Sequence, residues 1–251
     1  MGNSAIFTTY FSKKIHPNNP NDNHVIGRQE DGRVGQNDFE YIKNWYDSIV
    51  KNNLKGFIFY DNLTDEFVAK YSNNNIAFVK APTGDFSNND WRFFCYREFL
   101  KKHKFDNVFL TDGSDVVVVQ NPDNIIKEYN DTDLFVCKDN ISISQFGYLQ
   151  IHEQARWDNY SWFAMQHLTG KLPLINMGVI GGSYDNILDF LDKFCLVRIK
   201  MQHPDFNADM WVGQYVFRHL LSSKKILLGS PFTSDFKEYQ NDRKDVYFIH
   251  K

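Results

Sequence analysis

A chain of 251 residues and 29.6 kDa can bury a sizeable core and fits one large α/β domain better than two small ones. Its 28 Lys and Arg residues against 31 Asp and Glu residues leave a formal net charge of -3, which gives no basic footprint and argues against nucleic acid as a partner. Three cysteines, Cys95, Cys137 and Cys195, stand far apart without paired spacing, which excludes a disulfide framework and a cysteine zinc cage and reads as reduced thiols in a cytoplasmic setting.

No apolar run reaches the length of about 18 residues that a membrane span requires, and MGNSAIFTTYF at the start lacks the basic and apolar regions of a signal peptide. Ile6 breaks the myristoylation pattern that Gly2 would begin. The aromatic share of 16% suits core packing and also ligand pockets, and mildly favours small-molecule or sugar recognition.

In chain order, residues 5–11 (AIFTTYF) alternate with β-branched and aromatic side chains and predict a first strand. Residues 12–36 are polar and rich in Asn, Gly and Pro, the composition of a long loop. Residues 37–53 space Phe39, Ile42, Trp45 and Ile49 at helical intervals behind Asn37 or Asp38 as cap. Strands are predicted at 56–62 (GFIFYDN, closing on Asp61) and 75–82 (NIAFVKAP), and then a helix over 88–103 capped by Asn89 or Asp90. Further strands fall at 107–119 (NVFLTDGSDVVVV, interrupted by an acidic turn), 133–140 (DLFVCKDN) and 172–182 (LPLINMGVIGG). Helical periodicity marks 184–202 and 209–223, and short strands close the chain at 225–232 and 246–251. This alternation predicts a Rossmann-like α/β fold, with a mostly parallel central sheet between two layers of helices and no internal repeat. Residues 146–170 mix aromatic and polar side chains and predict helices or loops over a cleft.

Asp112 and Asp115 carry the strongest chemical signal. Ligands gather at the carboxyl ends of parallel strands, where VFL delivers Asp112. Gly113 and Ser114 supply a tight reversal, with Gly113 free to take positive φ and bring Asp115 back beside Asp112. Two carboxylates about 4 Å apart repel by roughly 4 kcal/mol at an effective dielectric of 20. A hard divalent cation, Mn²⁺ or Mg²⁺, relieves that repulsion and keeps coordination positions open for phosphate oxygens. An ordinary Asp-Gly turn with a solvated Asp115 explains the same letters, but the apolar runs on both sides suit a surface hairpin poorly.

The order of strand, acidic pair, VVVVQNP, INMGVIGG and NADMW resembles nucleotide-sugar-dependent glycosyltransferases of the GT-A fold. Their usual Asp-x-Asp is one residue narrower than the pair here, whose spacing is similar to the Asp-x-x-Asp of procollagen glycosyltransferases. The overall plan, including FTTYF, also resembles small GT-A domains of large algal viruses. The resemblance implies a single GT-A domain over the whole chain that transfers sugar from a nucleoside diphosphate donor, UDP first, to a glycan or glycoconjugate hydroxyl. Virus-encoded, it would work in the host cytoplasm. It implies Asp112, Asp115 and His250 as ligands of Mn²⁺ or Mg²⁺. A chain ending one residue past His250 is what a domain taken from a longer protein would look like.

By the same resemblance Asn176 and Gly178 line the donor-sugar pocket, and Asp209 faces acceptor and anomeric carbon, as general base if configuration inverts. Strand ends offer Thr8, Thr9, Tyr10 and Asp61 to the nucleotide base, with Tyr10 able to stack, and the Arg92 fork suits the diphosphate or the base. His152 and Glu153 lack the second histidine of a zincin; with Trp157, Tyr160 and Trp162 they are candidates for acceptor contact. Two rival readings are a sugar nucleotidyltransferase, for which AIFTTYFSKK lacks the phosphate-loop glycines, and a catalytically inactive nucleotide-sugar-binding domain.

Overall fold

The computed structural model describes residues 3–16, 29–145, 171–201 and 207–251. The chain folds as a mixed α/β structure on a seven-stranded, mostly parallel sheet. Strand β1 (Ala5–Tyr10) is followed by helix α1 (Lys43–Lys51), β2 (Gly56–Tyr60), α2 (Asp65–Tyr71), β3 (Ile76–Lys80), α3 (Asn88–Leu100) and β4 (Asn107–Thr111). Next come the short β5 (Val116–Val118), α4 (Asp123–Glu128), β6 (Leu134–Ser142), β7 (Pro173–Ser183) and α5 (Tyr184–Lys200). Helix α6 (Asp209–Tyr215), a π-helical turn at Val216–Leu220, β8 (Ile226–Leu228) and β9 (Phe248–His250) complete the chain. The sheet order is β3-β2-β1-β4-β7-β6-β8, with β7 antiparallel to both β4 and β6 and the other pairs parallel.

Alternation along each strand divides the core between the two sheet faces. Phe7, Phe59, Val108, Leu110 and Val136 pack with α3 and α5, while Ile6, Ile58, Phe109 and Phe135 face Trp45 and Ile49 of α1. Phe7 is enclosed by Phe57, Phe59, Tyr96, Phe99 and Phe105, with ring centroids 5.2–5.9 Å away. Complete burial of one such side chain contributes about 1.5–3 kcal/mol, which explains why this short central strand holds its register.

Several sequence expectations shift in detail. Helix α3 is capped by Ser87, whose Oγ accepts the Asp90 N–H, rather than by Asn89 or Asp90. Asp90 is drawn inward by a deeper partner. Asp38 caps the turn Phe39–Tyr41 ahead of α1, while Asn37 takes a left-handed φ of 63°. Helix α2, begun by Thr64, and the six-residue α4 carry too few periodic positions to show in the sequence. The expected strand over 107–119 is two strands in different sheets, because β5 pairs with β9. Residues 146–170, with His152, Glu153, Trp157, Tyr160 and Trp162, lie outside the described residues. Among those described, no helix is long and apolar enough to cross a membrane.

Candidate metal centre

Strand β4 ends in Thr111, which fixes the acidic turn from inside the core. Its Oγ accepts the Trp45 indole N–H at 2.8 Å and donates to the Phe7 carbonyl at 3.0 Å. Asp112 comes next, and its backbone N–H donates to the Gly178 carbonyl at 2.8 Å. Gly113 does not use positive φ: among the described residues the glycines that do are Gly32 and Gly229. Closeness favours glycine there, since a Cβ would lie 3.0 Å from Thr8 Oγ1 and 3.2 Å from the Thr9 carbonyl oxygen and would press both neighbours aside. Ser114 is half-buried in the turn.

His250 reaches this turn through a two-stranded ribbon. β5 begins immediately after Asp115 and pairs antiparallel with β9, Val116 opposite His250, while Lys251 N–H donates to the Asp115 carbonyl at 2.9 Å. His250 is 1% exposed rather than frayed, and its Nε2 faces Asp112 Oδ2 at 3.6 Å and Asp115 Oδ2 at 3.5 Å. One ligand atom from each of Asp112, Asp115 and His250 falls within 4.8 Å of the others.

β7 makes room for the cluster. Val136 of β6 pairs with Ile180 and Lys138 with Ile175, so residues 176–179 of β7 stand against Cys137 alone. A bulge of this kind bends the strand beside a site. Asn176 holds it, its Oδ1 accepting the Gly178 N–H at 2.8 Å. Asn176 and Gly178 lie inside β7, within the strand expected over 172–182. At Gly178 a Cβ would lie 2.1 Å from His250 Cε1 and 2.7 Å from Asp112 Oδ2. Only a glycine leaves the space between these ligands open.

The charges are balanced in an uneven way. Arg92 of α3 donates through Nη1 to Asp112 Oδ1 and through Nη2 to the Met177 carbonyl and Asp209 Oδ2, both at 3.2 Å. Holding Oδ1 turns Asp112 Oδ2 toward His250. Burial disfavours the His250 imidazolium, but the adjacent Asp115 carboxylate outweighs it and lifts the pKa to about 10. For Asp115, burial pushes upward and the facing imidazolium pulls harder, holding the carboxyl below its usual range. Asp209 is raised by burial against the pull of Arg92. Asp115 Oδ1 and His250 Nε2 are nonetheless buried without a hydrogen bond. Orphaned lone pairs around a gap that a Cβ would fill fit a divalent cation bound by two carboxylate oxygens and one imidazole nitrogen.

The remaining site expectations fare unequally. Asp209 opens α6 as expected and is tied to the centre by the span of one guanidinium. Gln214 pins that helix to β7 by bonding both backbone groups of Ile175. Arg92 is spent on two carboxylates and a carbonyl rather than held out toward a diphosphate. Tyr10 cannot stack on a base: its ring is fully buried against Tyr41 and Phe67, and its hydroxyl is bonded to the backbone of Gly35 and Asp38. Asp61 accepts the backbone N–H groups of Ser12 and Lys13 and so shapes the loop after β1. Thr8 is buried beneath Gly113 and Thr9 is half-buried beside it.

The buried pair of Asp90 and Arg198, 3.0 Å apart, and the thiol of Cys137, 3.4 Å from His250 Nδ1, were not legible as site features. A separate cavity of about 640 Å³, floored by Ile175 and Phe217 and rimmed by Arg218 and Lys224, shares no lining residue with the cluster. No protein-family model matches the chain, and no curated protein matches its sequence.

Proposed function

We propose that the protein is a metal-dependent glycosyltransferase of the GT-A type, moving a sugar from a nucleoside diphosphate donor to a hydroxyl of a glycan or glycoconjugate. The observation that carries this reading is the convergence of Asp112, Asp115 and His250 at the carboxyl end of β4. That is where α/β sheets bind nucleotides, and one guanidinium links the cluster to Asp209. An imidazole among the ligands favours Mn²⁺ over Mg²⁺. When bound, the cation supplies positive charge to the diphosphate as it leaves.

Every other role falls to the chain itself. Asp112 and Asp115 present oxygens on one side of the opening in β7, and His250 closes the other. Arg92 keeps Asp112 and Asp209 in a fixed relation while it offsets their charge. In transfer, the acceptor oxygen bonds to the anomeric carbon, the bond from that carbon to the diphosphate breaks, and the hydroxyl proton passes to a base. Asp209 suits that role in an inverting reaction, since burial raises its affinity for a proton. UDP is the nucleotide proposed first, on the family resemblance alone.

A second reading has its own support. Asp209 is 4% exposed, with Oδ2 held by Arg92 and Oδ1 accepting the Met210 N–H, which also suits a binding domain that holds a nucleotide sugar without turnover. Incubation of the protein with UDP-sugars and GDP-sugars in Mn²⁺ separates the two. Slow, Mn²⁺-dependent release of free nucleoside diphosphate supports the transferase. Saturable binding without release supports the binding domain, and neither binding nor release overturns both.

A further inference from the structure

His250 is held on all sides of its ring. Its backbone N–H donates to Ser234 Oγ at 2.9 Å, and the Phe236 ring packs with its centroid 4.3 Å from that of the imidazole. Nε2 looks toward Asp112 and Asp115. On the opposite edge Cys137 Sγ lies 3.4 Å from Nδ1, and both side chains are buried. Cys137 is the residue of β6 that faces the bulged stretch 176–179 of β7, so the irregularity that opens the sheet beside Gly178 also sets this sulfur behind the imidazole.

A neutral imidazole carries one N–H. For Nε2 to offer its lone pair to a cation the proton must sit on Nδ1, where the group that accepts it fixes both tautomer and ring orientation. We propose that Cys137 is that group: a positioning residue whose sulfur accepts the His250 Nδ1–H and keeps Nε2 aimed between Asp112 and Asp115. This rests on the metal-site reading above. The sulfur accepts this N–H whether or not a cation sits on Nε2, so loading the site requires no rotation of the ring. A ring turned over by half would set a carbon against the sulfur and remove the nitrogen from the carboxylates.

The test compares Cys137→Ser, Cys137→Ala and Cys137→Val with the wild-type chain and with Cys195→Ala, a buried thiol on α5 away from the site. Calorimetric titration with Mn²⁺ reads affinity. The imidazole ¹⁵N shifts of Zn²⁺-loaded protein, Zn²⁺ serving as diamagnetic probe, read the hydrogen bond made by Nδ1–H. Alanine and valine are expected to weaken Mn²⁺ binding by about 10–100-fold, the usual cost of losing such an outer partner, and to shift the Nδ1 resonance away from its hydrogen-bonded value. Serine, which keeps an acceptor, recovers most of both, and Cys195→Ala changes neither. If valine does not fold, the contrast of serine with alanine decides. Wild-type affinity and ¹⁵N shifts in the alanine and valine variants would overturn the proposal while leaving the metal site standing. A wild-type chain that binds no divalent cation would overturn both together.

Discussion

Helix α3 carries two charged side chains two residues apart that reach two buried ionic clusters, and the clusters are built to different ends. Asp90 points to Arg198 and is satisfied: Arg198 Nε at 3.0 Å, the Ser87 hydroxyl at 3.0 Å and the Ala208 N–H at 3.2 Å all donate to Oδ2. Burial pushes its carboxyl up to about 6 against the pull of Arg198, and its charge goes to fastening α5 and the entrance to α6. Arg92 points the other way, into a group whose Asp115 Oδ1 and His250 Nε2 remain without donors or acceptors. A buried carboxylate whose donors fasten neighbouring helices serves the fold; carboxylate and imidazole atoms gathered beside a gap that a Cβ would fill suit a ligand. Both use the same residue types, and what tells them apart is the gap beside Gly178.

The comparison breaks most visibly if the Asp90 cluster is opened. Arg198→Met leaves a buried carboxylate without its cation and is expected to cost about 3–5 kcal/mol of stability, read by urea unfolding, with Mn²⁺ affinity unchanged within about twofold. A comparable loss of Mn²⁺ binding would show that the two clusters are one. Gly178→Ala should do the reverse. Its methyl group fills the gap between His250 and Asp112, so calorimetry should find Mn²⁺ affinity reduced by about 100-fold or more, roughly 2.7 kcal/mol or more at 1.36 kcal/mol per tenfold, while circular dichroism keeps the α/β signature. Asp115→Asn is expected to weaken Mn²⁺ by about 10–100-fold and to erase the rise in melting temperature that Mn²⁺ gives the wild type, since only ligands of the native state raise it. An unchanged rise would remove Asp115 from the ligand set.

A pH dependence follows from the same cluster. In the metal-free protein the His250 pKa stands at about 10 against an ordinary value of 6.5. Its contribution to stability is therefore whole below about 6.5 and is lost as pH rises toward 10. The same proton competes with a cation. Mn²⁺ binding at pH 7 should release close to one proton, measurable from titrations in buffers of different ionisation enthalpy, and affinity should climb by up to about tenfold per pH unit between 7 and 8.5. Binding that releases no proton would mean that His250 is not a ligand.

Much of this architecture could be read from local pattern. Period-two runs marked β1 to β4, β6 and β7, and helical spacing marked α1, α3 and α5, because the buried face of each element repeats within a window of a few residues. Asp112 stood out for the same reason, as a charge at the end of an apolar strand. Tyr10 and Arg92 misled because exposure is not a local property: a tyrosine at a strand end and an arginine on a helix look alike whether they face solvent or, as here, are buried. Cys137 carried no signal at all, being one more apolar letter in DLFVCKDN.

The sequence by itself determined the α/β class, the mostly parallel sheet and a pair of carboxylates at the end of a strand, since these follow from periodicities along a few neighbouring residues. The family resemblance pointed to His250 as the third member of the group, and tertiary structure alone decided how the ribbon brings it there, that Arg92 bridges Asp112 to Asp209 and that Cys137 stands behind the imidazole. Those contacts depend on the pairing of β5 with β9 and on the bulge that sets residues 176–179 against Cys137. Strand register joins residues far apart in the chain through backbone hydrogen bonds that are chemically the same at every position, so no letter of the sequence announces them.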